Sequence, residues 1–231
     1  MSLHVAVLKE QNENERRVAV IPETVKKLIA AGCSVTLEKG AGAEASYTDE
    51  AYKEAGAKLS GADEAVKKAD ILLCVGAPQD SVLKKLKKSA LVIGALSPYN
   101  NQDIVKSLAA NKLSGFAMEL VPRITRAQSM DILSSQANLA GYKSVLDAAE
   151  YYTGSFPMMM TAAGTVPPAK VFIMGAGVAG LQAIATAKRL GAVVSATDVR
   201  PAAKEQVQSL GGTFIAVEDD EFKQAETAGG Y

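Results

Sequence analysis

An apolar run, Lys170-Val-Phe-Ile-Met174, passes without a spacer into Gly175-Ala-Gly177-Val178-Ala-Gly180, and the helical stretch Val178–Leu190 follows at once. No other part of the sequence constrains the fold as strongly. The first glycine suits a tight turn, the second lets the backbone approach a ligand, and the third lets helix and strand pack closely. The positive end of a helix that starts near Val178, with its free N–H groups, attracts an anion. Asp198 ends the next strand-like run, about 20 residues further on, where an acid that bonds an adenosine ribose belongs. A carboxylate there repels a 2′-phosphate, so the expected dinucleotide is NAD(H). Val199 and Arg200 complete the candidate cofactor site, and Arg200 is expected to lie against the adenine or to point outward. The plainer alternative is a glycine turn that binds nothing.

Upstream, short β-like runs alternate with helical ones. Leu3–Lys9, Ser34–Glu38, Ile71–Val75, Ala90–Ala95 and Ser114–Met118 read as strands. Pro22 opens a helix that closes on Gly32, and Thr48 can cap the next; Gly61–Ala69, Asp80–Lys88 and Asn101–Asn111 continue the pattern. Ile71–Val75 is an unbroken apolar run, as in a strand buried on both faces. Such alternation gives a parallel sheet with helices on both sides.

The expected fold class is therefore α/β, with two domains built on parallel sheets. Residues 1–130 form a flavodoxin-like domain, and residues 131–165 a long helix (Asp131–Tyr152) followed by a Pro- and Gly-punctuated connector. Residues 166–231 form the first half of a Rossmann-type domain, with strand 170–174, helix 178–190, strand 192–198, helix 202–210 and strand 213–217. A short helical stretch precedes the final GGY. Only about three strands fit after the connector, half of a dinucleotide fold, so that domain reads as truncated.

Lys plus Arg and Asp plus Glu each number 25 in 231 residues. A neutral chain offers no electrostatic footprint for nucleic acid and no polybasic surface for lipid. Cys33 and Cys74 lie far apart in apolar runs, which makes neither a disulfide framework nor a zinc site, so no metal is expected. No charged n-region and apolar h-region open the sequence, so secretion is not expected. The stretch 157–187 is interrupted by Pro167, Pro168 and Lys170, and so fails as a membrane span.

The single histidine, His4, sits inside the first strand. Most nicotinamide dehydrogenases lose a proton with the hydride and need a general base, usually His. Hydride passing between two nicotinamide rings needs none; the protein has only to align the rings and exclude water. A candidate aligning loop is Pro122-Arg123-Ile-Thr-Arg126-Ala-Gln128-Ser-Met-Asp131. Arg123 and Asp131 could pair across it, with Gln128 offering both a donor and an acceptor. Equally, Asp131 could only cap the long helix while Arg123 is solvated.

The sequence resembles the NAD(H)-binding domain, or alpha subunit, of proton-translocating NAD(P) transhydrogenases. The likeness covers nearly the whole chain. It includes KEQNENERRVAVIP (9–22), GAGAEASYTDEAYKEAGA (40–57), PRITRAQSMDILSSQANLAGY (122–142), the segment from FPMMMTAAGTVPPAK through GAGVAG, and ATDVR. The resemblance implies that Arg123, Gln128 and Asp131, with Ser134, organise hydride transfer. It implies that Gly175, Gly177, Val178, Gly180, Asp198, Val199 and Arg200 bind NAD(H). It also implies a homodimer that works with a partner subunit holding NADP(H) and a membrane subunit moving protons. The chain would then be cytoplasmic or matrix-side and peripheral to the membrane.

Alanine dehydrogenase shares this fold. That enzyme should carry a substrate-binding lysine and a catalytic histidine, yet the matching segments here, LLCVGAPQ (72–79) and LVIGALSP (91–98), contain neither. Arg17, which could grip a substrate carboxylate in that enzyme, reads here as half of an ion pair. A third possibility is a nucleotide-binding subunit without catalysis.

Overall fold

Along β1 (His4–Val7) the side chains alternate, so that Val5 and Val7 enter one apolar cluster while Ala6 enters another. β1 is thus a central strand with a core on each face, as in a doubly wound sheet. The computed structural model of the chain describes residues 2–217 and residue 222. The chain divides into two units, residues 1–131 and 132–231.

In the first unit, α1 (Pro22–Ala30) starts on its proline and leads to β2 (Ser34–Glu38). The Thr48 hydroxyl accepts the Ala51 N–H at 3.2 Å and starts α2 (Asp49–Glu54), whose Tyr52 is buried and donates to Val20 O at 2.8 Å. There follow β3 (Lys58–Ser60), α3 (Ala62–Lys67), β4 (Ile71–Gly76), α4 (Asp80–Leu83), β5 (Leu91–Ala95), α5 (Gln102–Ala110) and β6 (Ser114–Ala117). All the strand pairings in this sheet are parallel, in the order β3-β2-β1-β4-β5-β6. Val25 and Tyr52 pack on one face with Val35 and Leu37, while Val66, Leu83, Ile104 and Leu108 pack on the other with Leu72 and Val92.

A short edge strand extends the sheet expected for the flavodoxin-like domain. The five strands legible in the sequence do lie in the flavodoxin order, 2-1-3-4-5 in their own count. The three-residue β3, too short to show a period, adds outside β2 and makes the order 3-2-1-4-5-6. Two further expectations change. The helix expected to reach Lys88 ends at Leu83, beyond which the chain tightens into turns, with Lys85 N–H on Val82 O and Leu86 N–H on Leu83 O. There Lys84, Lys85 and Lys87 reach three different acids, Asp80, Asp63 and Asp70. In β4 only Leu72 is fully buried, although Ile71 and Leu73 pack against one core and Cys74 against the other.

In the second unit, α6 (Ile132–Tyr151) lies against α7 (Val178–Arg189). Gly141 permits the approach, because a Cβ there would collide with the Ala179 carbonyl. The connector contains an antiparallel hairpin, β7 (Met159–Thr161) and β8 (Gly164–Val166), where the sequence suggests no regular structure. β9 (Lys170–Met174), β10 (Val193–Thr197), α8 (Ala203–Ser209) and β11 (Thr213–Phe214) follow, and among the described residues the sheet is parallel in the order β11-β10-β9. The expected helical stretch before GGY lies outside the described residues. Among the described residues no helix is long and apolar enough to cross a membrane.

Candidate functional site

β9 ends at Met174 and the chain turns at Gly175, whose φ of 96° lies in the region that favours glycine. Its N–H is held by Thr197 O at 2.8 Å. Gly177 is the N-cap of α7 and has ordinary extended backbone, and a Cβ built on it meets nothing within 4 Å. A Cβ on Gly180 would collide with the Gly175 carbonyl, so this glycine is needed for the fit of helix against turn. Val178 opens α7. The helix has no acid in its first turn and carries Lys188 and Arg189 in its last. Its positive end is therefore not neutralised by an acidic side chain of its own first turn.

Asp198 follows β10, with its side chain only 7% exposed. Oδ2 accepts the Ala176 N–H at 2.7 Å, tying the carboxylate to the glycine turn. Arg200 donates Nε to Oδ1 at 2.9 Å and Nη2 to Oδ2 at 3.2 Å, and its backbone N–H also reaches Oδ1. The Arg200 guanidinium, helped by the Ala176 N–H and opposed by burial, holds the Asp198 carboxyl down at about 2. Arg200 is thus turned in on the largely buried carboxylate two residues before it, which claims the guanidinium. Val199, between them, is exposed.

The loop residues belong to the other unit. Arg123 and Gln128 are exposed, Asp131 is half-buried, and residues 125–130 form a 3-10 helix anchored by the buried Ala127. The Asp131 N–H is held by Gln128 O at 3.2 Å. Asp131 has φ −75° and ψ 95°, extended backbone suited to a residue just before a helix, which leaves the capping reading standing beside the aligning one. Ser134, half-buried, lies in the first turn of α6. The structure therefore brings Asp198 and Arg200 to the glycine turn, and joins Gln128 and Asp131 through their backbones alone.

The remaining reactive groups are accounted for structurally. His4 heads β1, at the amino edge of the sheet, with Nδ1 2.9 Å from Ser34 Oγ, and burial lowers its affinity for a proton. Ligands of open α/β sheets bind at the opposite, carboxyl edge. Burial pushes the Cys74 thiol up to about 12, with the Glu10 charge adding to it, so it is no nucleophile. Arg17 grips Glu15 through Nε at 2.8 Å and Nη2 at 2.6 Å. Among the described residues no cluster of His, Cys, Asp or Glu could hold a metal.

Two acids escape a reading of the sequence for site residues. Glu10 accepts the N–H groups of Val75 and Gly76 at the end of β4, and Glu119 accepts those of Leu96 and Ser97 just beyond β5. In sequence each is only an acid just past a strand.

The family described as alanine dehydrogenase/PNT, N-terminal domain, matches residues 6–140, and alanine dehydrogenase/PNT, C-terminal domain, matches residues 144–228. The chain is 54% identical over 235 aligned positions to an NAD(P) transhydrogenase subunit alpha of Rhodospirillum rubrum, covering 99% of this chain and 61% of that protein. It is 30% identical to an alanine dehydrogenase of Staphylococcus epidermidis, covering 90% of this chain and 56% of that one. The crystal structure of a transhydrogenase from Sinorhizobium meliloti superposes with a TM-score of 0.92 at 57% identity, over 95% of this chain and 63% of that one. The chain thus spans about three fifths of the length of these relatives.

Proposed function

This chain belongs to the alanine dehydrogenase/PNT family, and we propose that within it the chain is the NAD(H)-binding component of a proton-translocating NAD(P) transhydrogenase. In this reading a partner subunit holds NADP(H), a membrane subunit couples the exchange to proton movement, and the chain acts as a homodimer peripheral to the membrane on the cytoplasmic or matrix side. The identity to transhydrogenase alpha subunits supports the class.

The observation that carries the proposal is the turn Gly175–Gly180 with Asp198 bonded into it. The residues fit a dinucleotide. Open space at Gly177 and the positive end of α7 suit a pyrophosphate, and the carboxylate at the end of β10 suits a ribose diol. When bound, the cofactor supplies a hydride. What the protein supplies is alignment: Arg123, Gln128, Asp131 and Ser134 orient the reacting ring and keep water from it. His4, at the amino edge of its sheet, is misplaced to act as a base, which favours ring-to-ring transfer over an amino-acid dehydrogenase.

The test is hydride exchange from NADH to an NADP⁺ analogue. The chain, extended to the length of its relatives, is mixed with a purified NADP(H)-binding transhydrogenase component. Exchange that requires both proteins is the expected result. NADH binding without exchange would leave a nucleotide-binding subunit instead.

A further inference from the structure

β6 is an edge strand of the first sheet, so β5 holds the chain that leaves it from one side. Their ladder ends with Gly94 opposite Ala117. Past that end, the buried Leu96 and then Ser97 present two successive N–H groups, and such groups need acceptors. Glu119 serves both. Its Oε2 accepts the Leu96 N–H at 3.2 Å, and its Oε1 accepts the Ser97 N–H. One carboxylate thus carries the joining of β5 to β6 beyond its last rung. Asp198 does the same for β10 and β9 by accepting the Ala176 N–H.

Both sides of this clamp are firm. On the side of β5, Ser97 has a φ of 50°, which a residue with a side chain rarely adopts, and its carbonyl accepts the N–H groups of Asn100 at 3.0 Å and Asn101 at 2.7 Å. Asn101 in turn caps α5 by accepting the Ile104 N–H at 3.3 Å. On the other side only Leu120, Val121 and Pro122 separate Glu119 from Arg123. The Val121 N–H closes on Met118 O at 3.2 Å, the ring of Pro122 fixes its own φ, and the Ile124 N–H returns to Pro122 O at 2.9 Å. The buried Ala127 follows, with its N–H on Ile124 O at 2.9 Å. So little slack lies between clamp and loop that a shift of Glu119 is passed on to Arg123.

We propose that Glu119 is a positioning residue for hydride transfer, its carboxylate fixing the origin of the loop that carries Arg123, Gln128 and Asp131. The inference rests on the functional reading above and deepens it. Glu119 acts through the backbone and needs no contact with the cofactor. Groups that align a reacting ring tolerate little displacement, since an error of about 1 Å can cost roughly 100-fold in rate. Glu119 is half-buried and lies outside the apolar clusters of the sheet, so weakening its clamp leaves the sheet standing.

The test is Glu119→Gln in the chain extended to the length of its relatives, mixed with the NADP(H)-binding component. The new amide keeps one acceptor oxygen, while its NH2 group faces the second N–H donor to donor. Single-turnover hydride transfer is expected to fall at least tenfold, with NADH affinity within twofold of native. Hydrogen exchange at the Ala127 and Asp131 amides is expected to quicken, while that of Val92 within the sheet holds. Hydride transfer at the native rate, unchanged exchange at Ala127 and Asp131, or lost protection at Val92 overturns the proposal. Native protein that transfers no hydride defeats the functional reading and this inference with it, whereas an active native protein with an equally fast variant defeats this inference alone. If Glu119→Gln does not fold, Glu119→Asp, with its carboxylate on a shorter stem, carries the same expectations.

Discussion

Arg200 clasps Asp198 through Nε at 2.9 Å and Nη2 at 3.2 Å, while the same carboxylate accepts the Ala176 N–H at 2.7 Å. One acid thus braces the glycine turn and occupies the base that could otherwise receive a 2′-phosphate. In the proposed reading, cofactor choice and the stability of the turn rest on the same group.

Asp198→Asn keeps an acceptor for Ala176 but removes the charge that engages Arg200. The ratio of NADH to NADPH affinity is expected to fall about tenfold, a change of about 1.4 kcal/mol. Fluorescence titration with both nucleotides measures it. An unchanged ratio would show that this pair does not set the preference.

The pH dependence of stability follows from the same pair. The Asp198 carboxyl is held at about 2, below its unfolded value of 3.8. Its contribution is therefore fully present above about pH 4 and is lost as the pH falls toward 2, and linkage makes it on the order of 2 kcal/mol. Denaturant melts of native protein and Asp198→Asn should differ at pH 6 and converge near pH 2. A difference that does not shrink on acidification would contradict the assignment.

Two glycines of one turn should separate architecture from binding. Gly180→Ala puts a methyl into the Gly175 carbonyl and is expected to cost about 3 kcal/mol of stability. Gly177→Ala meets open space and should change stability by less than about 0.5 kcal/mol, yet weaken NADH binding by placing a methyl in the proposed pyrophosphate site. Thermal melts with and without NADH distinguish the two. Equal effects on stability would overturn this division of roles.

How far the sequence can be read depends on the range of the cause. Pro22 at the first turn of α1, Thr48 as a cap and the conformation of Gly175 are local, and each is legible from its neighbours. β3 escapes because Lys58–Ser60 is too short for a period, and its absence changes the apparent strand order. The hairpin 159–166 hides in a stretch punctuated by glycine and proline. The direction of Arg200 depends on how deeply Asp198 is buried. The Glu10 contact joins residues far apart in sequence across a bulge that exists only once β4 pairs with β5. Neither is written in spacing.

Arg123→Ala is expected to lower the rate of hydride transfer far more than NADH affinity, if the loop aligns the ring. Single-turnover rates and equilibrium binding, measured on the same preparation, check this. An equal loss of both would make the loop a binding element only.

The most direct measurement follows the hydride itself. NADH deuterated at the transferred position of its ring is incubated with the chain, extended to the length of its relatives, and the NADP(H)-binding component. The expected result is deuterium in the NADPH formed, none released to water, and no NADH oxidation when keto acids replace the partner. Oxidation of NADH by a keto acid without the partner would contradict ring-to-ring transfer and make the protein an amino-acid dehydrogenase.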